Sequence, residues 1–168
     1  PAISLVPVPL GGGSMAGMFD AMGADNIGAI EGGELFDMVG AMSGNDFETM
    51  GNDSAHGMFE TMGDDRVMEM NADAMGGMFG AMDGEQLSHM AGDTTFGAFE
   101  TMGTEGFKDM GGSNMAGMFD SMGADYLGAI VVGQLFDIVA GMSGIHFMMM
   151  GYDNSFCFFN AIDSVPIG

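Results

Sequence analysis

Methionine is the most frequent side chain in this sequence that could bind a metal, with 23 residues among 168. Met15, Met18 and Met22 are three and four residues apart, a spacing that resembles the thioether arrays of copper-handling proteins. Thioethers are soft ligands suited to Cu(I). Core packing is the alternative, and the repeat described below favours it, because Leu35 and Ile138 replace methionine at equivalent positions. Packing tolerates an aliphatic replacement, whereas ligation does not.

Acidic residues recur at fixed intervals and could bind calcium if the intervals stack. Two rows are predicted. One contains Asp25, Asp65, Glu85, Glu105 and Asp125, and the other contains Asp53, Asp73, Asp93 and Asp153. Like charges in a row repel, and a divalent cation between them would relieve the repulsion. The alternative is that these acids cap helices or lie in first turns, where the helix dipole favours them. No EF-hand loop occurs, so no motif specifies calcium, and no cofactor is assigned.

The other residue types that catalyse reactions are scattered. His56, His89 and His146 fall at different repeat positions, and Cys157 is the only cysteine. No GxSxG, Walker A, GxGxxG or HExxH motif occurs. An enzyme needs a few unique polar groups converging on a pocket, whereas this chain offers the same residues many times. We therefore expect that the protein is not an enzyme.

Charge excludes further classes of function. The net charge is -22, with 24 acidic residues against Arg66 and Lys108. Phosphates would be repelled, so we expect no nucleic-acid partner and no adsorption to anionic membranes. No run of 18 apolar residues occurs, and no membrane span is predicted.

The elements that would position these side chains are 20-residue repeats. The stretch SMAGMFDAMGADNIGAIEGG at residues 14–33 returns as NMAGMFDSMGADYLGAIVVG at residues 114–133. Gapless units begin at residues 14, 34, 54, 74, 94, 114 and 134, and a half unit begins at 154. This gives a repeat domain over 14–163, between an extended arm with a glycine linker at 1–13 and a tail at 164–168.

Each unit is predicted to form two very short helices. The apolar positions are the second, fifth, sixth and ninth, then the fourteenth and seventeenth, which is helical spacing. Glycines such as Gly23 and Gly63 suit left-handed C-caps. Polar residues at the starts suit N-caps; they are Ser14, Ser54, Asp73, Asp93, Ser113, Asn114 and Asp153. We predict an all-α, solenoid-like array in which neighbouring units stabilise each other. A β-solenoid or a mixed strand–helix coil is the alternative, because 20 residues also suit one β coil.

The two ends differ in charge. From Asn114 onward only five acids remain, and the sequences IHFMMM and FCFF follow. Terminal units of a solenoid are normally polar, so an apolar end suggests that a partner or a second copy covers it. The alternative is that the half unit and tail fold back as an apolar plug. The predicted assembly contacts are Phe147, Met148, Met149, Met150, Phe156, Phe158 and Phe159.

These observations predict a structural protein that self-assembles into a filament or matrix through its ends. A metal-binding protein, using calcium or copper, is the alternative function. In composition the chain is similar to repetitive extracellular and surface-layer proteins, so we expect an extracellular or cell-surface location.

Overall fold

A computed structural model describes residues 11–150 and 152–163; within them, the side chains of residues 124, 125, 132, 152, 153, 157 and 161–163 are not described. The described part of the chain forms 13 α-helices and contains no strand. The all-α prediction is therefore confirmed, and the β-solenoid alternative is wrong. The helices are α1 (Gly12–Met22), α2 (Ala24–Ile27), α3 (Gly32–Val39), α4 (Gly44–Glu48), α5 (Asn52–Met62), α6 (Asp64–Val67), α7 (Ala72–Ala81), α8 (Gly84–Ser88), α9 (Gly92–Asp109), α10 (Gly112–Leu127), α11 (Val132–Val139), α12 (Gly144–Met149) and α13 (Tyr152–Asp163).

The helices follow the predicted period. Longer helices begin at residues 12, 32, 52, 72, 92, 112, 132 and 152, which is every 20 residues. A shorter helix follows each of the first seven, and in α9 and α10 the two segments are joined through a kink. Each longer helix begins two residues before the predicted unit start. As a result, Gly12 and Gly13 of the predicted linker lie in the first turn of α1.

The N-caps predicted for the longer helices are wrong. The observed N-caps include Gly11, Gly51 and Asn71. Ser54 and Asp73 instead lie inside the first turn. An acid in the first turn still interacts favourably with the helix dipole. Each longer helix also begins two residues earlier than predicted. The residues predicted as caps therefore mark each helix start only to within one or two positions.

Glycines with positive φ join the two helices of a unit. Gly23, Gly63, Gly103 and Gly123 have φ between 68° and 78°, as predicted for C-terminal glycines. Their ψ values lie between 158° and 176°, so the left-handed helical conformation that we predicted is wrong. This combination of angles is almost restricted to glycine. It turns the chain directly from one helix into the next without a loop.

The core contains the predicted repeat positions. The fourteenth position is fully buried in six units, at Ile27, Phe47, Val67, Leu87, Phe107 and Leu127. The second position is buried in all seven units, whether it holds methionine, leucine, alanine or threonine. Burial of such different side chains at one position shows that this position serves packing.

Close backbone contacts connect units two apart. A Cβ atom on Gly77 of α7 would overlap the backbone of Gly44 of α4, and one on Gly117 of α10 would overlap Gly84 of α8. At Gly57 of α5 the added Cβ would lie 2.9 Å from the Cβ of Ala24 in α2. In each pair the fourth residue of a unit faces the eleventh residue of the unit two before it. Contacts of this kind are those expected of the solenoid-like array, which remains our interpretation of the stacking.

Candidate assembly surface

Large apolar side chains are exposed where the described chain ends, on α12 and α13. These two helices pack against each other. Met148 is 81% exposed, Ile145 is 65% exposed and Phe159 is 51% exposed. We define the C-terminal apolar surface as Ile145, Met148, Met149, Phe156 and Phe159, all of which are exposed. Exposed apolar groups gathered at one place on a protein commonly mark an interaction site.

The remaining predicted contact residues lie deeper. Met150 and Phe158 are fully buried, and Phe147 is half-buried. The ring of Phe158 lies 5.4 Å from that of Phe119 and 5.8 Å from that of Phe147, measured between centroids. These three residues therefore pack the core beneath the surface, and only four of the predicted contacts, Met148, Met149, Phe156 and Phe159, are exposed.

Phe159 is exposed although it lies at a core position of the repeat. It is the sixth residue of the half unit, and the sixth residue is buried at Phe19, Phe79 and Phe119. Phe59 is nearly buried too, and its ring lies 5.9 Å from that of Phe79 in the next unit. The described chain has no further unit beyond α13 to cover Phe159.

Ile145 and Met148 lie at positions that hold mostly polar residues or glycine in the other units. Ile145 is the twelfth residue of its unit, and the other six units have an acid or asparagine there: Asp25, Asn45, Asp65, Glu85, Glu105 and Asp125. Met148 is the fifteenth residue, where the other units have glycine, Glu48, Met68, Ser88 or Lys108. The twelfth position, which is polar in the other six units, has thus become apolar in the last full unit alone.

The predicted rows of acids are solvent-exposed. Asp25, Asp65, Glu85 and Glu105 are exposed, as are Asp53, Asp73 and Asp93, whereas the side chains of Asp125 and Asp153 lie outside the described residues. Among the side chains that the structure describes, no three carboxylate, imidazole or thiolate groups converge as metal ligands would.

Several of these carboxylates bind protein groups instead. The Asp73 carboxylate accepts a hydrogen bond of 2.8 Å from the Gly44 backbone N–H at the start of α4. The Asp53 carboxylate accepts one of 3.1 Å from the Gln86 side chain, and that of Asp93 accepts one of 3.0 Å from the Thr94 backbone. The bonds from Gly44 and Gln86 connect units, so these acids contribute to stacking.

Two histidines come together that the sequence separated. His56 and His89 line one cleft with Asp83, Glu85 and Gln86. His89 Nδ1 lies 2.7 Å from the Glu85 backbone oxygen, and His56 Nε2 lies 3.9 Å from a Glu60 carboxylate oxygen. The two histidines lie at different positions of consecutive units, so no signal in the sequence indicated that they share a cleft. His146 has another role, since it forms a capping box with Ser143 at the start of α12.

Three charged side chains have shifted pKa values. Hydrogen bonds from the Ser43 backbone N–H and hydroxyl hold the pKa of Asp46 below its usual value. Backbone N–H groups of Glu34 and Gly33 lower the pKa of Glu31, and Arg66 adds a smaller effect. A hydrogen bond to Glu105 raises the pKa of Lys108. All three interactions lie at helix ends or on the surface, and none forms a catalytic pair.

Most methionines lie in the core rather than at a site. Met58, Met75, Met78, Met118 and Met150 are fully buried, and nine other methionines are nearly so. Copper would need thioethers that it can reach. The structure therefore favours the packing interpretation of the methionines in the central units.

A set of polar contacts between units was not anticipated. Asn114, at the first position of its unit, is buried and donates to the carbonyl oxygens of Phe79, Gly80 and Met82 at the end of α7, at 2.8–3.2 Å. The hydroxyl of Ser54, at the same position two units after α1, donates to the Asp20 carboxylate at 3.1 Å. The preference for polar residues at this first position was a signal in the sequence, but we assigned it to N-capping.

Comparisons with known proteins add no relative. No protein-family model, no curated protein and no solved structure matches this chain. Across the residues that the structure describes, every helix is too short or too polar to cross a membrane.

Proposed function

We propose that this protein is a structural, self-assembling repeat protein whose copies associate through their ends. The single observation that carries the proposal is the C-terminal apolar surface. It lies on a chain of net charge -22 and gathers five of the eight large apolar side chains found to be exposed among the described residues. Burial of this surface by another molecule would remove apolar groups from water, which is the main driving force of protein association.

The distribution of charge supports the same proposal. Nineteen of the 24 acids precede Asn114, and residues 138–152 contain none. Copies with this charge would repel each other along their sides. The region around α12 lacks that repulsion, so contact there would be preferred. End-to-end contact between copies that does not close into a ring extends into a filament.

A location outside the cell, in a surface filament or matrix, fits this acidic and repetitive chain and belongs to the proposal. Calcium would then affect the assembly only by screening or bridging the exposed acids. The copper alternative receives no support from any specific observation.

The test is electron microscopy of the purified protein, in calcium and in a chelator. We expect filaments or oligomers in both solutions. Ile145→Asp should abolish them while the fold is kept, because Asp25 and Asp65 occupy the same position in folded units.

Val131→Glu is the matched control. Val131 is also exposed and apolar, and Glu31 is its counterpart in the first unit, so the change adds one charge away from the surface. It should leave assembly intact. Monodisperse wild-type protein under both conditions would refute the proposal. Assembly of the Ile145→Asp variant at wild-type levels would show that the C-terminal apolar surface is not the contact between copies.

A further inference from the structure

Three of the longer helices, α5, α7 and α10, are covered in the same way by the unit two before them. In α5 the covered residues are Ser54 and Gly57, and in α10 they are Asn114 and Gly117, all of which are buried. The covering element is the shorter helix two units earlier, α2 for α5 and α8 for α10. One surface of each of these three helices is thus dedicated to a single kind of neighbour.

Helix α1 has this surface, but none of the described elements covers it. Ser14 and Gly17 occupy the positions of Ser54 and Gly57, and both are exposed. Among the described residues nothing lies within 4 Å of a Cβ built on Gly17. Met18 is only half-buried, whereas Met58, Met78 and Met118 at the same position are fully buried. We call Ser14, Gly17 and Met18 the open face of α1.

Helix α12 has the complementary surface, which the described residues also leave uncovered. Gly144 begins α12 as Gly44 begins α4 and Gly84 begins α8. Gly44 and Gly84 are buried beneath the longer helices two units later, but Gly144 is exposed, and a Cβ on it would meet none of the described residues. Ile145 and Met148 of the C-terminal apolar surface follow Gly144 in the same short helix.

We infer that α1 of one copy docks on α12 of another, with Gly17 against Gly144, in the arrangement that α7 and α4 adopt within the chain. This inference rests on the proposed function and specifies the occupant of the C-terminal apolar surface. The joint continues the internal stacking. If the first unit of one copy takes the place two units after the last full unit of the other, Gly17 faces Gly144 as Gly77 faces Gly44 and Gly117 faces Gly84. Ser14 would then lie beside Ala140, as Asn114 lies beside Gly80.

Charge permits this contact. Asp20 is the single acid in α1, and no acid occurs between residues 138 and 152. Both partners in the joint are therefore weakly charged parts of a strongly acidic chain, so approach here meets less repulsion than approach of any two central units.

The first test uses Gly17→Ala, with association measured by sedimentation. Gly17 is an exposed residue inside a helix, so alanine should maintain or raise the melting temperature of the single chain. In the joint the new methyl group would overlap the backbone of Gly144, as a Cβ on Gly77 would overlap Gly44. We expect association to weaken tenfold or more.

Gly144→Ala and Gly133→Ala serve as matched variants. In the α7–α4 arrangement a Cβ on Gly44 would lie 2.5 Å from the Asp73 backbone oxygen, and the same distance separates one on Gly84 from the Ser113 oxygen, so Gly144→Ala should also weaken association. Gly133 is likewise exposed and unobstructed among the described residues but lies at the start of α11, and alanine there should have no effect on association. Wild-type association of the Gly17→Ala variant would overturn the inferred joint while leaving self-assembly itself intact.

The second test is crosslinking in a Cys157→Ser background. A Ser14→Cys copy mixed with an Ala140→Cys copy should give a covalent dimer with a short bis-maleimide, because these positions meet in the joint. A Glu69→Cys copy, altered at an exposed residue in the middle of the array, should give none with Ser14→Cys. Assembly without the Ser14–Ala140 product would also overturn the joint, and a wild-type chain that never associates would refute both the joint and the proposed function.

Discussion

Gly77 lies against Gly44 so closely that a Cβ atom on Gly77 would overlap the carbonyl group and the α-carbon of Gly44. The two residues are 33 positions apart, and the contact joins α7 to α4. Adjacent Gly76, on the same helix, has no such restriction, since its nearest neighbour would be the Met102 sulfur at 3.7 Å.

This difference predicts opposite effects of the same substitution. Gly77→Ala should destabilise the protein by about 1–3 kcal/mol, because two helices must separate to admit the methyl group. Gly76→Ala should be neutral or stabilise it by up to about 1 kcal/mol through the higher helix propensity of alanine. Urea unfolding followed by circular dichroism measures both. Equal stability of the two variants would contradict the close contact.

Phe158 and Phe159 form a second matched pair. Phe158 is fully buried among aromatic rings, so Phe158→Ala should destabilise the protein by about 3–5 kcal/mol. Phe159→Ala removes a half-exposed ring and should cost the single chain far less, while association falls. Thermal unfolding at a protein concentration below that of association separates the two effects. A large loss of stability from Phe159→Ala alone would show that the ring is covered within its own chain.

Asn114 should be a strong contributor to stacking. Its side chain serves three carbonyl oxygens at the end of α7, and Asn114→Ala would leave them without this donor in a buried place. We expect a loss of about 1–3 kcal/mol. Asn26→Ala, which removes one exposed bond to the Met22 carbonyl, is the control and should cost much less. Chemical denaturation of both variants tests this, and similar losses would argue against a special role for Asn114.

The Ser43–Asp46 capping box predicts a pH dependence. The pKa of Asp46 is lowered on folding, so its contribution to stability is present above the unfolded pKa, near 3.8, and is lost as pH falls through the folded pKa. The wild type should therefore exceed Asp46→Ala in melting temperature at pH 6, and the difference should shrink toward pH 3. A difference that does not vary with pH would mean that the carboxylate does not act through its charge.

Salt should strengthen association. Two copies of net charge -22 repel each other, and salt screens that repulsion without weakening apolar contact. We expect the dissociation constant measured by sedimentation to fall as sodium chloride rises from about 20 to about 500 mM. Over that range the screening length shortens from about 20 to about 4 Å. Weaker association at high salt would point to ion pairs at the joint instead of apolar groups.

Sequence alone determined the helices and their period. Apolar residues at helical spacing in gapless 20-residue units predicted the all-α class, the core positions and the glycine turns, because local propensity and periodicity act within a few residues. It also predicted the apolar end, since the stretches IHFMMM and FCFF follow a loss of acids after Asn114. The helix starts were displaced by two residues, because polar groups in a first turn resemble N-caps in composition.

Tertiary structure decided which residues of different units meet. The pairing of the fourth residue with the eleventh residue of a unit two earlier depends on how helices cross, and no local pattern encodes that angle. The same stacking buried Met150 and Phe158 but exposed Phe159, although all three are apolar and lie within ten residues. A residue's exposure at the ends depends on whether another unit follows, and that is a property of the assembled array rather than of the residue itself.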